Sequence, residues 1–274
     1  MDNYRSYIKV GFIGSGNMGG AIAKAVTKAG YRVVLYDKDS EKCASLGAKL
    51  GSKIAGSLDE LLSICTFIFI GVKPQALEAL ASEIRPRLDS MGNAAPLLIS
   101  MAAGTSLSRL EELFGKRCIV RIMPNTPVSE GKGMTVWCAN DETFDAQKEA
   151  FLDIMRESGR VDPIDERLID AASAVSGCGP AFVYMFIEAL ADGGVLCGLP
   201  RDKALTYAAQ TLSGAAEYLM ASGEHPEKLK DNVCSPGGTT IEGVRTLEDR
   251  GFRSAATEAV IAAYEKTLEL AKKK

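Results

Sequence analysis

Histidine is nearly absent from this chain of 274 residues: His225 is the only one. It sits in a Gly223-Glu224-His225-Pro226 turn between two helical patterns and reads as a surface or capping residue. The apolar helix predicted from Ala181 to Val195 holds no lysine. These two absences remove the usual proton-transfer groups for carbonyl reduction. The cysteines, Cys43, Cys65, Cys118, Cys138, Cys178, Cys197 and Cys234, are odd in number and form no Cys-x-x-Cys pair. That argues against a disulfide framework or a zinc site, and for reduced thiols in the cytosol. The first residues, Met1-Asp2-Asn3-Tyr4-Arg5, lack the apolar core of a secretory signal, so a cytoplasmic location is expected. The longest apolar run, Pro180 to Leu199, is broken by Glu188, Asp192, Gly193 and Gly194, and reads as a buried helix rather than a membrane span. Positive charge is not in excess either. A net charge of −3 gives no electrostatic case for nucleic acid or an anionic membrane surface. The closing Lys272-Lys273-Lys274 run reads as a solvated helix end.

What is present is an ordinary soluble composition, 46% hydrophobic and 24% charged, in a chain long enough for two domains. Five short runs, Ile8–Ile13, Arg32–Tyr36, Thr66–Val72, Pro96–Ser100 and Ile119–Met123, predict buried parallel strands. Helical spacing over Ala21–Ala29, Glu41–Leu46, Gln75–Leu88 and Leu107–Phe114 supplies the crossovers. Met134–Cys138 and Arg160–Pro163 extend the sheet. From Glu166 onward only helical patterns remain: Glu166–Val175, Ala181–Cys197, Asp202–Ser222, Thr240–Asp249 and Ser254–Ala271. The expected fold is α/β, a doubly wound nucleotide-binding sheet over residues 1–164 followed by an all-α domain over residues 165–274. The helix from Ala181 is apolar on nearly every face, so it needs to be enclosed, and a partner subunit is expected to enclose it.

Gly14-Ser15-Gly16-Asn17-Met18-Gly19 is a G-x-G-x-x-G between a strand and a helix. The first glycine makes a tight turn, the second admits a pyrophosphate to the backbone, and the third lets helix pack on strand. Asp37 ends the second strand, where an acid bonds a ribose 2′-hydroxyl and favours NADH. Lys38 follows and would instead pair with a 2′-phosphate, so NADH and NADPH both stay open. A solvated strand-end aspartate is the plain alternative. Val72-Lys73-Pro74 and Ser100-Met101-Ala102-Ala103-Gly104 close two more strands at the edge where such sheets bind ligands. Small residues there let a nicotinamide ribose lie close to the backbone, while Lys73 reads equally as a surface lysine. Met123-Pro124-Asn125-Thr126-Pro127 makes a rigid turn in which Asn125 either faces the nicotinamide amide or serves the turn alone. Ser176-Gly177-Cys178-Gly179-Pro180 opens the apolar helix and reads as packing first, cleft lining second.

Lys230 to Glu242 carries the clearest substrate signal. Pro236 lacks a donor, and Gly237 and Gly238 permit unusual backbone angles. Thr239 and Thr240 then open a helix, gathering amide N–H groups and two hydroxyls suited to a small carboxylate. Cys178 and Cys234 flank the proposed site without a histidine base, which argues against covalent catalysis. A reaction needing little acid–base help fits: reduction of a protonated cyclic imine, whose carbon is already electrophilic.

With Ala191-Asp192-Gly193-Gly194-Val195, Gly198-Leu199-Pro200, His225-Pro226 through Asn232-Val233 to Ser235-Pro236-Gly237-Gly238-Thr239-Thr240, and Gly251-Phe252-Arg253, nearly the whole chain resembles pyrroline-5-carboxylate reductases. The resemblance implies hydride transfer from NADPH or NADH to the C=N carbon of 1-pyrroline-5-carboxylate, the last step of proline synthesis. It implies a coenzyme site at Gly14, Ser15, Gly16, Asn17, Met18, Gly19, Asp37, Lys38, Ser57, Val72, Lys73, Pro74, Ala102, Ala103, Gly104 and Asn125. It implies that Asn232, Ser235, Gly237, Gly238 and Thr239, with Ser176, hold the substrate, and that Thr240 contacts the ring nitrogen. It also implies a homodimer through the C-terminal helices, with five dimers in a ring. Asp37-Lys38 stands where many NADPH-favouring members carry an Asn-Arg type pair, which leaves the coenzyme open. A β-hydroxy-acid dehydrogenase-like enzyme would need a lysine in the helix after Gly177, and none is there. A non-catalytic NAD(P)-sensing protein on the same fold would bind coenzyme yet reduce no imine.

Overall fold

The computed structural model describes residue 5 and residues 7–272, without the side chains of residues 271 and 272. The predicted basic helix end at Lys272–Lys274 therefore lies outside the described side chains. The strands are β1 (Lys9–Ile13), β2 (Arg32–Tyr36), β3 (Lys53–Ile54), β4 (Phe67–Ile70), β5 (Leu97–Ser100), β6 (Ile119–Met123), β7 (Gly133–Ala139) and β8 (Gly159–Pro163). Between and after them run α1 (Asn17–Lys28), α2 (Ser40–Leu50), α3 (Leu58–Ile64), α4 (Leu77–Met91), α5 (Leu107–Phe114), α6 (Asp145–Met155), α7 (Ile169–Ser176), α8 (Gly179–Leu196), α9 (Arg201–Ser222), α10 (Pro226–Val233), α11 (Thr239–Asp249) and α12 (Phe252–Lys272).

The strands form one sheet in the order β3-β2-β1-β4-β5-β6-β7-β8. The pairs from β3 to β6 are all parallel, β6–β7 is antiparallel and β7–β8 is parallel. Alternate side chains explain why both faces are covered. Phe67 and Phe69 of β4 join Phe12, Ile22, Val26 and Phe151 on one face. Ile68 and Ile70 of the same strand join Leu61, Leu80, Ile84 and Leu110 on the other. Phe12 and Phe69 stack with ring centroids 4.8 Å apart, which binds β1 to β4 at the centre of the sheet.

Strands β2 and β6 match their predicted bounds, and the doubly wound α/β architecture is as expected. Four elements escaped prediction. Strand β3 has two residues, too few to show a period. Helices α3 and α10 have seven and eight residues, hardly two turns each. Helix α6 buries only Phe151, Ile154 and Met155, all in its second half. Helix α1 also begins earlier than its apolar spacing implied, because Gly16, extended at φ −65° and ψ −175°, is its N-cap.

The chain divides into two compact units, one of Met1–Cys178 with Ala263–Lys274 and one of Gly179–Ala262. The first holds the sheet. The second is helical: α8 packs on α9 through Ala191, Ala204 and Ala208, and Gly194 brings them close, since a Cβ there would stand 3.2 Å from that of Ala204. Within one chain α8 is not enclosed. Ala191 is its only buried residue, and Tyr184, Met185 and Leu196 are exposed. Residues Glu166–Leu196 are long and apolar enough to cross a membrane by length and composition alone.

Candidate functional site

Parallel strands deliver their carboxyl ends to one edge. Gly14, Asp37, Gly71 and Met101, which follow β1, β2, β4 and β5, therefore share it. The strand order reverses direction between β1 and β4, and that is where a crevice opens in such sheets. Each fingerprint glycine has a separate steric reason to be there. Gly14 has φ +104°, and a Cβ on it would lie 2.8 Å from the Gly71 carbonyl carbon. A Cβ on Gly19 would collide with the Gly14 carbonyl oxygen, so helix α1 could not approach the turn. A Cβ on Gly16 would meet nothing within 4 Å. The space before Gly16 is open, as backbone approach by a pyrophosphate requires. Helix α1 has no side-chain N-cap bond and no acid in its first turn, so its leading amides retain their capacity for an anion. The residues present thus fit a dinucleotide.

Asp37 is tied to that turn. Its Oδ2 accepts from the Ser15 N–H at 2.6 Å and the Ser15 hydroxyl at 2.7 Å, and its Oδ1 accepts from the Asp39 N–H at 2.9 Å. Burial opposes ionisation of Asp37, but the hydrogen bonds from Ser15 and Asp39 and the charge of Lys42 outweigh it, holding the carboxyl below its ordinary value. Beside it lies a cavity of about 150 Å³ whose lining includes Tyr36, Asp37, Leu58, Val72, Ala76 and Leu80. Its size and mostly apolar walls suit a base. The sequence reading missed this slot because it missed α3. Ser57-Leu58-Asp59-Glu60 carried the signal, a capping-box spacing. The Ser57 hydroxyl accepts from the Glu60 N–H at 3.1 Å, and the Glu60 carboxylate reaches the Gly56 N–H at 2.7 Å.

The remaining loops of the edge divide. Lys73 and Ala103 are exposed, Ala102 is buried, and Gly104 turns the chain at φ +64°. Asn125 is buried, and both ends of its amide serve the backbone. Its Nδ2 donates to the Ser176 carbonyl at 2.9 Å, and its Oδ1 accepts from the Met134 N–H at 2.8 Å. The turn thus accounts for Asn125 by itself. The Ser176 hydroxyl donates to the Ala172 carbonyl at 2.9 Å, within its own helix. Behind the turn, Arg121 is 4% exposed and bonds Glu166 at 3.0 Å and Asp170 at 2.8 Å, while Glu166 also accepts from the Leu107 N–H at 2.6 Å. This partly buried network joins β6, α5, the turn before α7 and its first residues, and it had no sequence signal because its members lie 45 and 49 residues from Arg121.

The helical unit carries the other predicted residues. His225 caps α10, its Nδ1 accepting from the Glu227 N–H at 3.3 Å. Asn232 lies exposed in the last turn of α10. Gly237 has φ +67°, the Gly238 N–H closes a turn on the Ser235 carbonyl at 3.0 Å, and Gly238 is the N-cap of α11. That N-cap makes no side-chain bond, so the amides after it and the hydroxyls of Thr239 and Thr240 gather at one helix start. The structure thus brings Ser235, Gly237, Gly238, Thr239 and Thr240 together within one loop. No cluster of His, Cys, Asp and Glu able to hold a metal occurs among the described residues.

A doubly wound sheet with a glycine-built dinucleotide crevice, followed by a helical unit, defines a nucleotide-dependent oxidoreductase. A profile described as "NADP oxidoreductase coenzyme F420-dependent" matches residues 9–104, and one described as "Pyrroline-5-carboxylate reductase dimerisation" matches residues 166–270. The pyrroline-5-carboxylate reductase of Escherichia coli (strain K12) is 42% identical over 269 residues, 96% of this chain and 98% of that one. A Plasmodium falciparum pyrroline carboxylate reductase solved with NADP bound is 37% identical, with a TM-score of 0.84 over 95% of this chain and 98% of that one. The Coxiella burnetii enzyme is 30% identical, with a TM-score of 0.87 over 97% and 99%. The chain belongs to the pyrroline-5-carboxylate reductase family.

Proposed function

We propose that this chain reduces 1-pyrroline-5-carboxylate to L-proline with a nicotinamide coenzyme, the closing step of proline synthesis. The observation that carries the reading is the Cys234–Thr240 loop, with its uncapped helix start and two threonines. Gly14, Ser15, Gly16, Asn17, Met18 and Gly19 would hold the pyrophosphate. Asp37, Lys38 and Ser57 flank the adenosine, and Val72, Lys73, Pro74, Ala102, Ala103 and Gly104 the nicotinamide ribose. The coenzyme, when bound, supplies the hydride for the C=N carbon. Asn232 and the backbone from Ser235 to Thr239 hold the substrate carboxylate against the α11 N-terminus. Ser176 is counted with the substrate residues in this reading. Thr240 accepts a hydrogen bond from the protonated ring nitrogen and keeps one as that nitrogen becomes an amine. No lysine is needed in α8, because the iminium carbon requires no general acid.

Residues 1–164 serve the coenzyme and residues 165–274 the substrate and pairing. The exposed apolar faces of α8, with the dimerisation profile over residues 166–270, support a homodimer through the C-terminal helices, and five such dimers close a ring. Pairing rather than a membrane answers the apolar Glu166–Leu196 stretch, and seven free cysteines agree with a cytoplasmic setting. The test follows NADH and NADPH oxidation at the reduced nicotinamide band with 1-pyrroline-5-carboxylate, with proline identified as the product. Coenzyme binding without turnover of the imine would defeat the reductase reading in favour of a sensing role.

A further inference from the structure

We infer that Asp37 makes this chain selective for NADH over NADPH. The inference rests on the coenzyme site proposed above and settles what the Asp37-Lys38 pair left open. An acid at the end of the second strand accepts from a ribose 2′-hydroxyl and repels a 2′-phosphate. Here that acid is fixed in place. Three hydrogen bonds, two from Ser15 and one from the Asp39 N–H, hold its two oxygens. Ser15 belongs to the glycine turn itself, so the carboxylate cannot swing away without disturbing the pyrophosphate cradle.

Nothing nearby is arranged to receive the extra phosphate. Residues 37–60 contain no arginine, the side chain best matched to a phosphate. Lys42 is paired with Asp39 at 3.2 Å and Lys53 with Glu60 at 2.5 Å. Lys38 is exposed, with Glu83 4.0 Å away, and offers one solvent-screened charge against a fixed carboxylate. The N-terminus of α2 is the other natural phosphate receptor, and it is already filled by an acid. Asp39 is its N-cap and accepts from the Lys42 N–H at 3.1 Å. A 2′-phosphate would therefore meet Asp37 and Asp39 where it needs cations or free amides. The NADP seen with the Plasmodium relative belongs to that protein; the acids argued from here are this chain's own.

The experiment measures dissociation constants for NADH and NADPH without substrate, by calorimetry on the full chain. The wild type is expected to bind NADH at least about tenfold more tightly, the scale of one unfavourable charge contact near a surface. Asp37→Asn retains an oxygen for Ser15 and is expected to narrow that ratio by strengthening NADPH. Asp39→Ser keeps a good N-cap for α2 and is expected to narrow it in the same direction, so the inference stays exposed even if Asp37→Asn folds poorly. Binding of NADPH as tightly as NADH by the wild type overturns the inference and leaves the reductase reading standing. An unchanged ratio in both variants overturns it too. Failure to bind either coenzyme overturns the inference together with the coenzyme site.

Discussion

Replacing Gly16 with valine separates binding from folding. The glycine is extended, at φ −65° and ψ −175°, a conformation valine adopts freely, and a Cβ there meets nothing within 4 Å. Two small effects on the free protein oppose each other. Valine is a poorer N-cap than glycine by up to about 1 kcal/mol, while losing glycine's freedom in the unfolded chain returns roughly 0.4–1 kcal/mol. The melting temperature of the coenzyme-free protein should therefore move by no more than about 2–4 °C. Coenzyme binding should suffer far more, since the new side chain fills the space that the pyrophosphate needs. Losing even one charge-assisted hydrogen bond of about 1.5–3 kcal/mol raises the dissociation constant roughly 10- to 150-fold. Gly14→Val is the contrasting variant. At φ +104°, with the Gly71 carbonyl carbon 2.8 Å from its Cβ, it should destabilise the fold itself by more than about 1–3 kcal/mol. Calorimetric titration with NADH, alongside thermal melts without ligand, reads both quantities. Undiminished affinity in Gly16→Val would show that the pyrophosphate lies elsewhere. A thermal loss as large as that of Gly14→Val would refute the steric argument.

Thr240→Ala should lower turnover by roughly tenfold or more, the value of one hydrogen bond to a charged group, and unchanged steady-state kinetics would remove Thr240 from the mechanism. Asn125→Ala should strand the Met134 N–H and the Ser176 carbonyl, costing about 2–4 kcal/mol and lowering the melting temperature by roughly 5–15 °C. An unaltered melt would show that the amide acts on the coenzyme instead of the turn. Burial pushes the thiols of Cys65 and Cys138 up to about 12, so both should resist iodoacetamide at pH 8 in the folded protein and react once it is unfolded. Peptide mapping by mass spectrometry checks this, and rapid native labelling of either would contradict the raised thiol, fully buried at Cys65 and partly buried at Cys138.

Much of the site was legible because its determinants are local. Gly14, Gly16 and Gly19 announce themselves by spacing, since all three fall within six residues of chain, although the backbone that forbids a side chain on Gly14 is that of distant Gly71. The Ser235–Thr240 loop was legible for the same reason: proline, glycines and threonines in sequence fix a turn and a helix start. Period-2 and period-3.6 patterns gave the long elements, and they failed where an element was too short to repeat its period, as in β3 and α3. That failure hid the slot beside Tyr36 and Leu58.

The sequence alone determined the main run of strands and helices, the glycine turn and the turn that opens α11, because backbone sterics and hydrophobic period act over a few residues. Only the tertiary structure decided what the polar side chains do. Asn125 could face a coenzyme or hold a turn until Met134 and Ser176 were seen at its two ends. Asp37 could be a solvated acid until Ser15, 22 residues away, was found bonded to it. Arg121 gave no sign of its pairing with Glu166 and Asp170. Hydrogen bonds depend on which strands lie side by side, and that is fixed by the packing of the whole sheet. The bare apolar flank of α8 marks the same boundary from the other side: its sequence demands enclosure, and one folded chain does not provide it.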